Sequence, residues 1–167
     1  NGLRPTNGED LIAVLNRNAN PSKIDTFLQR DSTYRVEWDP DSGALSSSVE
    51  VVLRNDAPSS GLPVDVIGNG GGLPLGTNRT DLIVLTPLEA VRATVDGKDA
   101  PIAPLRDQGM WRHTIRVEIP PGATVTIRLE LEGEVDPGKT YRLTAGGQPL
   151  VQKGELKVHV SAEGHEI

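Results

Sequence analysis

The residues with the most chemical potential lie in LPVDVIGNGGGLPLGTNRT, residues 62–80, where Gly68 and Gly70 to Gly72 surround Asn69, and Asn78 and Arg79 follow. A glycine-rich stretch can cradle a phosphate. The dinucleotide-binding pattern G-x-G-x-x-G lacks its third glycine here, and the Gly-Lys-Ser/Thr of a P-loop is missing. Pro74 and a strand-like run follow in place of a helix, so no helix N-terminus stands ready for an anion. The stretch reads as a bent crossover, in which glycine permits positive φ and close backbone passage. Its length, residues 55–77, keeps a binding surface open as the alternative, because loops beyond about 12–15 residues are commonly functional. Val64 to Ile67 would shorten it as an edge strand. On the binding alternative, the ligand-binding candidates are Asn69, Asn78 and Arg79.

Those candidates have structural roles to weigh against recognition. Asn55-Asp56 closes one strand pattern and Asn78 opens another, and such side chains bond nearby backbone in that setting. Arg79 has Asp81 or Asp56 as a salt-bridge partner. Asn78-Arg79-Thr80 also spells a glycosylation sequon.

Other reactive groups are sparse. The chain has no cysteine, so disulfides, thiolate catalysis and sulfur-ligated zinc are excluded. Of three histidines, His113 falls on the inward face of a strand beside Trp111, His159 on a polar face, and His165 near the end. No HxH or HExxH spacing joins them into a metal site, and no motif calls for a cofactor. Glu37, Asp39 and Asp41 lie close together, but Asp39-Pro40-Asp41-Ser42-Gly43 lacks the later glutamate of a calcium loop and is better explained as a turn. Glu130, Glu132 and Glu134 share an outward face and read as solubility charges. No G-x-S-x-G occurs, so no catalytic residue is assigned and the chain reads as non-enzymatic. Phe27, Tyr34, Trp38 and Trp111 are in phase with buried faces, which leaves no aromatic platform for sugar stacking.

The elements that must position these residues follow from periodicity. Thr6-Asn7-Gly8-Glu9 has capping-box spacing, with Leu11, Ile12 and Leu15 behind it at helical intervals. Asn20-Pro21 starts a second helix carrying Ile24, Phe27 and Leu28. From Ser32 the period becomes two. Tyr34, Val36 and Trp38 alternate with Arg35, Glu37 and Asp39, and Leu45, Val49, Val51 and Leu53 resume the pattern after the Asp39–Gly43 turn, forming a hairpin. DLIVLT, residues 81–86, and Ala90 to Val95 follow, the latter ending at the hairpin signal Asp96-Gly97. WRHTIRVEI and TVTIRLELE match across Pro120-Pro121-Gly122 as a further hairpin. Tyr141, Leu143 and then Leu156, Val158 and Val160 supply the last strands, and Gly164 to Ile167 reads as a frayed end.

These eight or nine strands predict a mainly β fold, an antiparallel β-sandwich of immunoglobulin-like or fibronectin-like type preceded by a short helical segment. Residues 1–30 form that helical arm, 31–162 the sandwich and 163–167 the frayed C-terminus. A chain of 167 residues buries roughly 68–70% of its unfolded surface without a metal or disulfide. Seventeen Lys and Arg stand against 23 Asp and Glu, a net charge of −6 with no basic concentration, which argues against nucleic acid. No run approaches the roughly 18 apolar residues of a membrane helix. The first residue is Asn1 rather than Met, which marks a piece of a longer protein, so membrane contact would come only through a segment outside this chain.

Five stretches together resemble one family. They are ANPSKIDTFLQRDSTYRVEWDPDSG, VEVVLRNDAPSSGLPVDVIGN, GLPLGTNRTDLIVLTPL, IPPGATVTIRLELEG and YRLTAGGQPLV, spanning about residues 15 to 162. Their ordered LRNDAP, GLP, GTNR and PPG elements resemble the carboxy-terminal part of the actinobacterial "domain of unknown function four-zero-one-two" family. The resemblance implies an extracytoplasmic region of a membrane-anchored cell-envelope protein, with an envelope glycan or another envelope protein as partner. It carries over no catalytic or ligand-binding residue. The expectation is a non-enzymatic spacer or interaction domain; the alternative is an accessory domain of a polysaccharide-processing or polysaccharide-attachment enzyme whose active site lies upstream.

Overall fold

A computed structural model describes residues 9–68, 72–138, 140–162 and 165–166. Twelve strands occur among them: β1 (Asp10–Asn18), β2 (Leu28–Trp38), β3 (Ala44–Asn55), β4 (Asn78–Thr86), β5 (Glu89–Val95), β6 (Lys98–Asp99), β7 (Ala103–Asp107), β8 (Met110–Ile119), β9 (Thr124–Glu134), β10 (Leu143–Gly147), β11 (Leu156–Ala162) and β12 (His165–Glu166). They form two sheets, one of five strands in the order β10-β1-β4-β8-β7 and one of seven in the order β12-β11-β2-β3-β9-β5-β6. The sheets pack face to face. Ile12, Val14, Leu82, Val84, Ile115 and Val117 of the first meet Tyr34, Val36, Val49, Val51, Ile127 and Leu129 of the second in one core. The expected β-sandwich is therefore present, with mixed rather than purely antiparallel sheets. Two pairs run parallel, β1 with β10 and β11 with β2.

The N-terminal segment differs from its expected helices. Asp10–Asn18 is a strand lying between β10 and β4, and the second helix reduces to a 3-10 turn at Ile24–Phe27. LIAVL, residues 11–15, is a continuous apolar run, and Leu11, Ile12, Ala13 and Val14 are all buried. A strand buried on both faces needs such a run, which also satisfies helical spacing over so few residues. Thr6, Asn7 and Gly8 of the expected cap lie outside the described residues.

The β2–β3 hairpin forms as expected, with Trp38 opposite Leu45. At the next tight turn Asp96 and Gly97 both take positive φ, and Val95 pairs with Lys98. The strands β8 and β9, however, do not pair. β8 lies between β4 and β7, whereas β9 lies between β3 and β5, so Pro120-Pro121-Gly122 crosses from one sheet to the other. Matched apolar faces are satisfied equally by pairing within a sheet and by facing across the sandwich, and here they face.

Val64–Ile67 is a helical turn, not an edge strand. Ile67 packs with Ile24 and Ala57 in a small second cluster. At the C-terminus, His165–Glu166 returns as β12 against β11 where fraying was expected.

Candidate functional site

The outer face of the seven-stranded sheet carries a trough built by residue size. Alternation along β3 turns Leu45, Ser47 and Val49 inward, and Ala44, Ser46 and Ser48 outward. These three small side chains span about 14 Å at roughly 3.4 Å per residue. Longer side chains wall them on both sides. Arg35 of β2 and Glu130 of β9 flank Ser48 in register, and Glu37 and Glu132 flank Ser46. Beyond β2, His159 and Ser161 of β11 stand opposite Arg35 and Glu37 and extend the two rows.

The resulting hollow has a volume of about 530 Å³. It adjoins a second of about 890 Å³ that reaches Asp39, Asp41, Glu89 and Glu134. The trough therefore has arginine and carboxylate along its walls and turns acidic at one end. Within the described residues the Ser46 and Ser48 hydroxyls hold no hydrogen bond, and Arg35 holds no ion pair. The ion pair of Arg128 with Glu130 is loose, with Arg128 Nε 3.8 Å from Glu130 Oε1 and both side chains well exposed. Exposed pairs of this kind contribute about 0–1 kcal/mol and exchange readily for a ligand. The arrangement offers hydroxyls, carboxylates and a guanidinium along a line, which suits hydrogen bonding to an extended polar chain.

The residues singled out in the sequence lie elsewhere. Asn78 is fully buried, and its Nδ2 donates to Asp25 Oδ1 at 3.0 Å, so its carboxamide is enclosed at a strand start. Arg79 pairs with Glu118, its register neighbour on β8, at 2.8 Å. It reaches neither Asp81 nor Asp56. Asp56 is taken by Arg54 and Gln29, while Asp81 sits between Arg17 of β1 and Arg116 of β8, accepting from both. Those two guanidinium groups hold its carboxyl below the usual carboxylate value. Asn69 lies outside the described residues.

The loop glycines next to it serve close passage. A Cβ at Gly68 would meet Ser22 Oγ at 2.6 Å, and one at Gly76 would meet the Pro58 carbonyl at 2.5 Å. Asn55 ties the same connection down, its Nδ2 donating to the Gly76 and Ile119 carbonyls at 2.7 and 2.8 Å.

His113 is a core residue. Its Nε2 donates to the Leu88 carbonyl at 3.0 Å, which pins the crossover from β4 to β5, and burial keeps the ring neutral by lowering its pKa. Trp111, expected inward, is half-buried at the start of β8 between Thr86 of β4 and Arg106 of β7, stacked on His113 with the Arg106 guanidinium 5.2 Å from its ring centroid. Asp39 organises its own turn, accepting from the Asp41 amide at 2.8 Å and the Ser42 hydroxyl at 2.5 Å.

The trough was missed because Ser46-Ser47-Ser48 reads as unremarkable strand polarity. The available signal was phase: alternation places Ser46 and Ser48 on the face of Arg35 and Glu37, where small residues make a hollow.

No protein-family profile matches this sequence, and no curated protein does. Among solved structures, an M1 zinc metallopeptidase from Deinococcus radiodurans aligns with 81% of this chain at 13% identity and a TM-score of 0.39. A mutant of that enzyme bound to a Tyr-ser-ala substrate aligns with 80% of it at 15% identity and a TM-score of 0.37. The chain spans 32% of the length of either. Likeness at this level carries neither a family nor an activity to the chain. Among the described residues no helix is long and apolar enough to cross a membrane.

Proposed function

We propose that this chain is a non-enzymatic, extracytoplasmic interaction module of a cell-envelope protein, whose trough over β3 takes an extended, hydroxyl-rich chain of the envelope-glycan type. One observation carries the binding role. Ala44, Ser46 and Ser48 form a small-residue floor between charged walls, with hydroxyls unspent inside the protein. A spacer needs no such floor, and long side chains at these positions would serve solubility better. The envelope setting rests on the resemblance of the LRNDAP, GLP, GTNR and PPG set.

The test is a thermal-shift and calorimetric screen against fragmented envelope polysaccharides. A ligand that binds only the folded state raises the midpoint by mass action. The expected outcome is a saturable rise with one glycan, lost in Ser48→Tyr while the midpoint without glycan stays put. Tyrosine suits an outward-facing, half-buried strand position, so this variant fills the trough without breaking the sheet. A flat response across the panel, or an equal response in Ser48→Tyr, returns the chain to a spacer role.

A further inference from the structure

Arg30 stands on the inward face of β2, in phase with Leu28, Ser32 and Tyr34, and is 7% exposed. Its guanidinium has five N–H donors. The structure partners one site on it: Nη1 donates to Asn16 Oδ1 at 2.8 Å. No carboxylate pairs with it among the described residues. Asp25 stands on the far side of Asn16, whose Nδ2 donates to Asp25 Oδ2 at 3.2 Å. Asn16 therefore separates a buried cation from a half-buried carboxylate. Asp31, next along β2, is outward-facing and accepts the Glu155 amide. Burial lowers the Arg30 pKa with no partner to raise it, as an uncompensated cation requires.

A cavity of about 490 Å³ opens beside this group between the two sheets, covered by the connection from β10 to β11. Two glycines shape it. A Cβ at Gly147 would stand 3.5 Å from Arg30 Nη2, so glycine leaves that flank of the guanidinium uncovered. A Cβ at Gly154 would fall 1.8 Å from the Arg30 carbonyl oxygen, so only glycine lets the connection run directly over β2. Lys153 lines the cavity too and has no ion pair among the described residues. Glu155, the one carboxylate in the lining, turns to Lys157 at 3.5 Å with its side chain 72% exposed.

We propose that this cavity binds a single carboxylate group, seated on the open edge of the Arg30 guanidinium beneath residues 148–155. A planar carboxylate matches the planar donor fork, and the burial of the guanidinium strengthens the pairing. One negative charge balances the one enclosed cation. A phosphate dianion would add a second charge toward Asp25 and Glu155, which disfavours it. The site lies between the sheets and the trough on an outer face, so either proposal can fail without the other.

The test is arginine side-chain NMR on the whole chain, titrating sodium acetate and sodium glucuronate against sodium chloride at matched ionic strength. The Arg30 Nε–H resonance moves saturably with acetate and stays put with chloride. In thermal-shift measurements, acetate raises the midpoint of the wild type and not of Arg30→Lys, which keeps the charge and loses the fork. Lys153→Ala, a change at the exposed rim, weakens acetate binding several-fold. A glucuronate response extends the site to sugar acids, and a response to acetate alone restricts it to small free acids; either outcome supports it. A resonance that moves with neither anion, or with chloride as far as with acetate, overturns the proposal, and this readout needs no variant to fold.

Discussion

Asp10 and Arg30 are both buried between the sheets, and their surroundings differ in kind. Asp10 is enclosed by protein hydroxyls: Tyr34 donates to its Oδ2 at 2.7 Å, Tyr141 donates to the same oxygen, and Ser47 lies 3.3 Å from the Tyr34 oxygen. Trp38 packs on Tyr141 at 5.7 Å and closes that end. Arg30 has one partner and a cavity. The Asp10 cluster is a structural network closed by protein side chains: Oδ2 takes both tyrosine hydroxyls, Oδ1 has no partner among the described residues, and burial raises the carboxyl pKa while the hydroxyls oppose the rise. The Arg30 cluster is incomplete without something from outside. A buried charge marks a site when space adjoins it, and marks architecture when side chains fill that space.

Substitutions test this contrast directly. The largest effect is expected for Asp10→Ala, which takes the carboxylate acceptor from both Tyr34 and Tyr141 and leaves the Tyr34 hydroxyl only Ser47 at 3.3 Å. Leaving a buried polar group unsatisfied costs about 1–3 kcal/mol, so the loss should reach about 3 kcal/mol in urea unfolding. Next comes Tyr34→Phe, which removes one donor and keeps the ring, at a cost of about 1–2 kcal/mol. Arg30→Met should cost less than about 1 kcal/mol, because replacing an uncompensated buried cation with an apolar side chain is often neutral. A loss of several kcal/mol in Arg30→Met would place that residue with Asp10 as structural.

The smallest effect is one of slope. Because the folded Asp10 pKa lies above 3.8, the unfolded chain ionises first as pH rises, and the wild type loses stability through that interval. Below the unfolded value both states are protonated and nothing is lost. Urea midpoints of Asp10→Asn should therefore gain on the wild type as pH rises from acid toward neutrality. A constant offset between the two would show that Asp10 is not perturbed.

Much of the sandwich was legible because half-buried strands declare themselves by alternation. Tyr34-Val36-Trp38 and Leu45-Val49-Val51-Leu53 set the β2–β3 register, and Asp96-Gly97 gave a turn that only left-handed backbone can make. β1 was illegible because a strand covered on both faces has no alternation to show. The partner choice of β8 and β9 was illegible because periodicity fixes which way a face points, not which sheet holds it. The Arg30 site could have been read further. Extending the Tyr34 phase backward through Ser32 places Arg30 inward, and a lone cation on an inward face is the anomaly to follow. What completes it, a cavity roofed by residues more than a hundred positions away, is tertiary.

The parallel pairing of β1 with β10 sets a timetable for synthesis. Asp10 finds its register partner only at Leu143, and its other neighbour, β4, begins at Asn78. The nascent chain must therefore present LIAV, covered on both faces in the finished molecule, long before either flank exists. Hairpins such as β2–β3 close early from local contacts, whereas β1 waits for the far end of the chain. Before β4 emerges it is an unpaired apolar strand, and between β4 and β10 one of its edges stays open; those intervals are when this protein is most exposed to self-association.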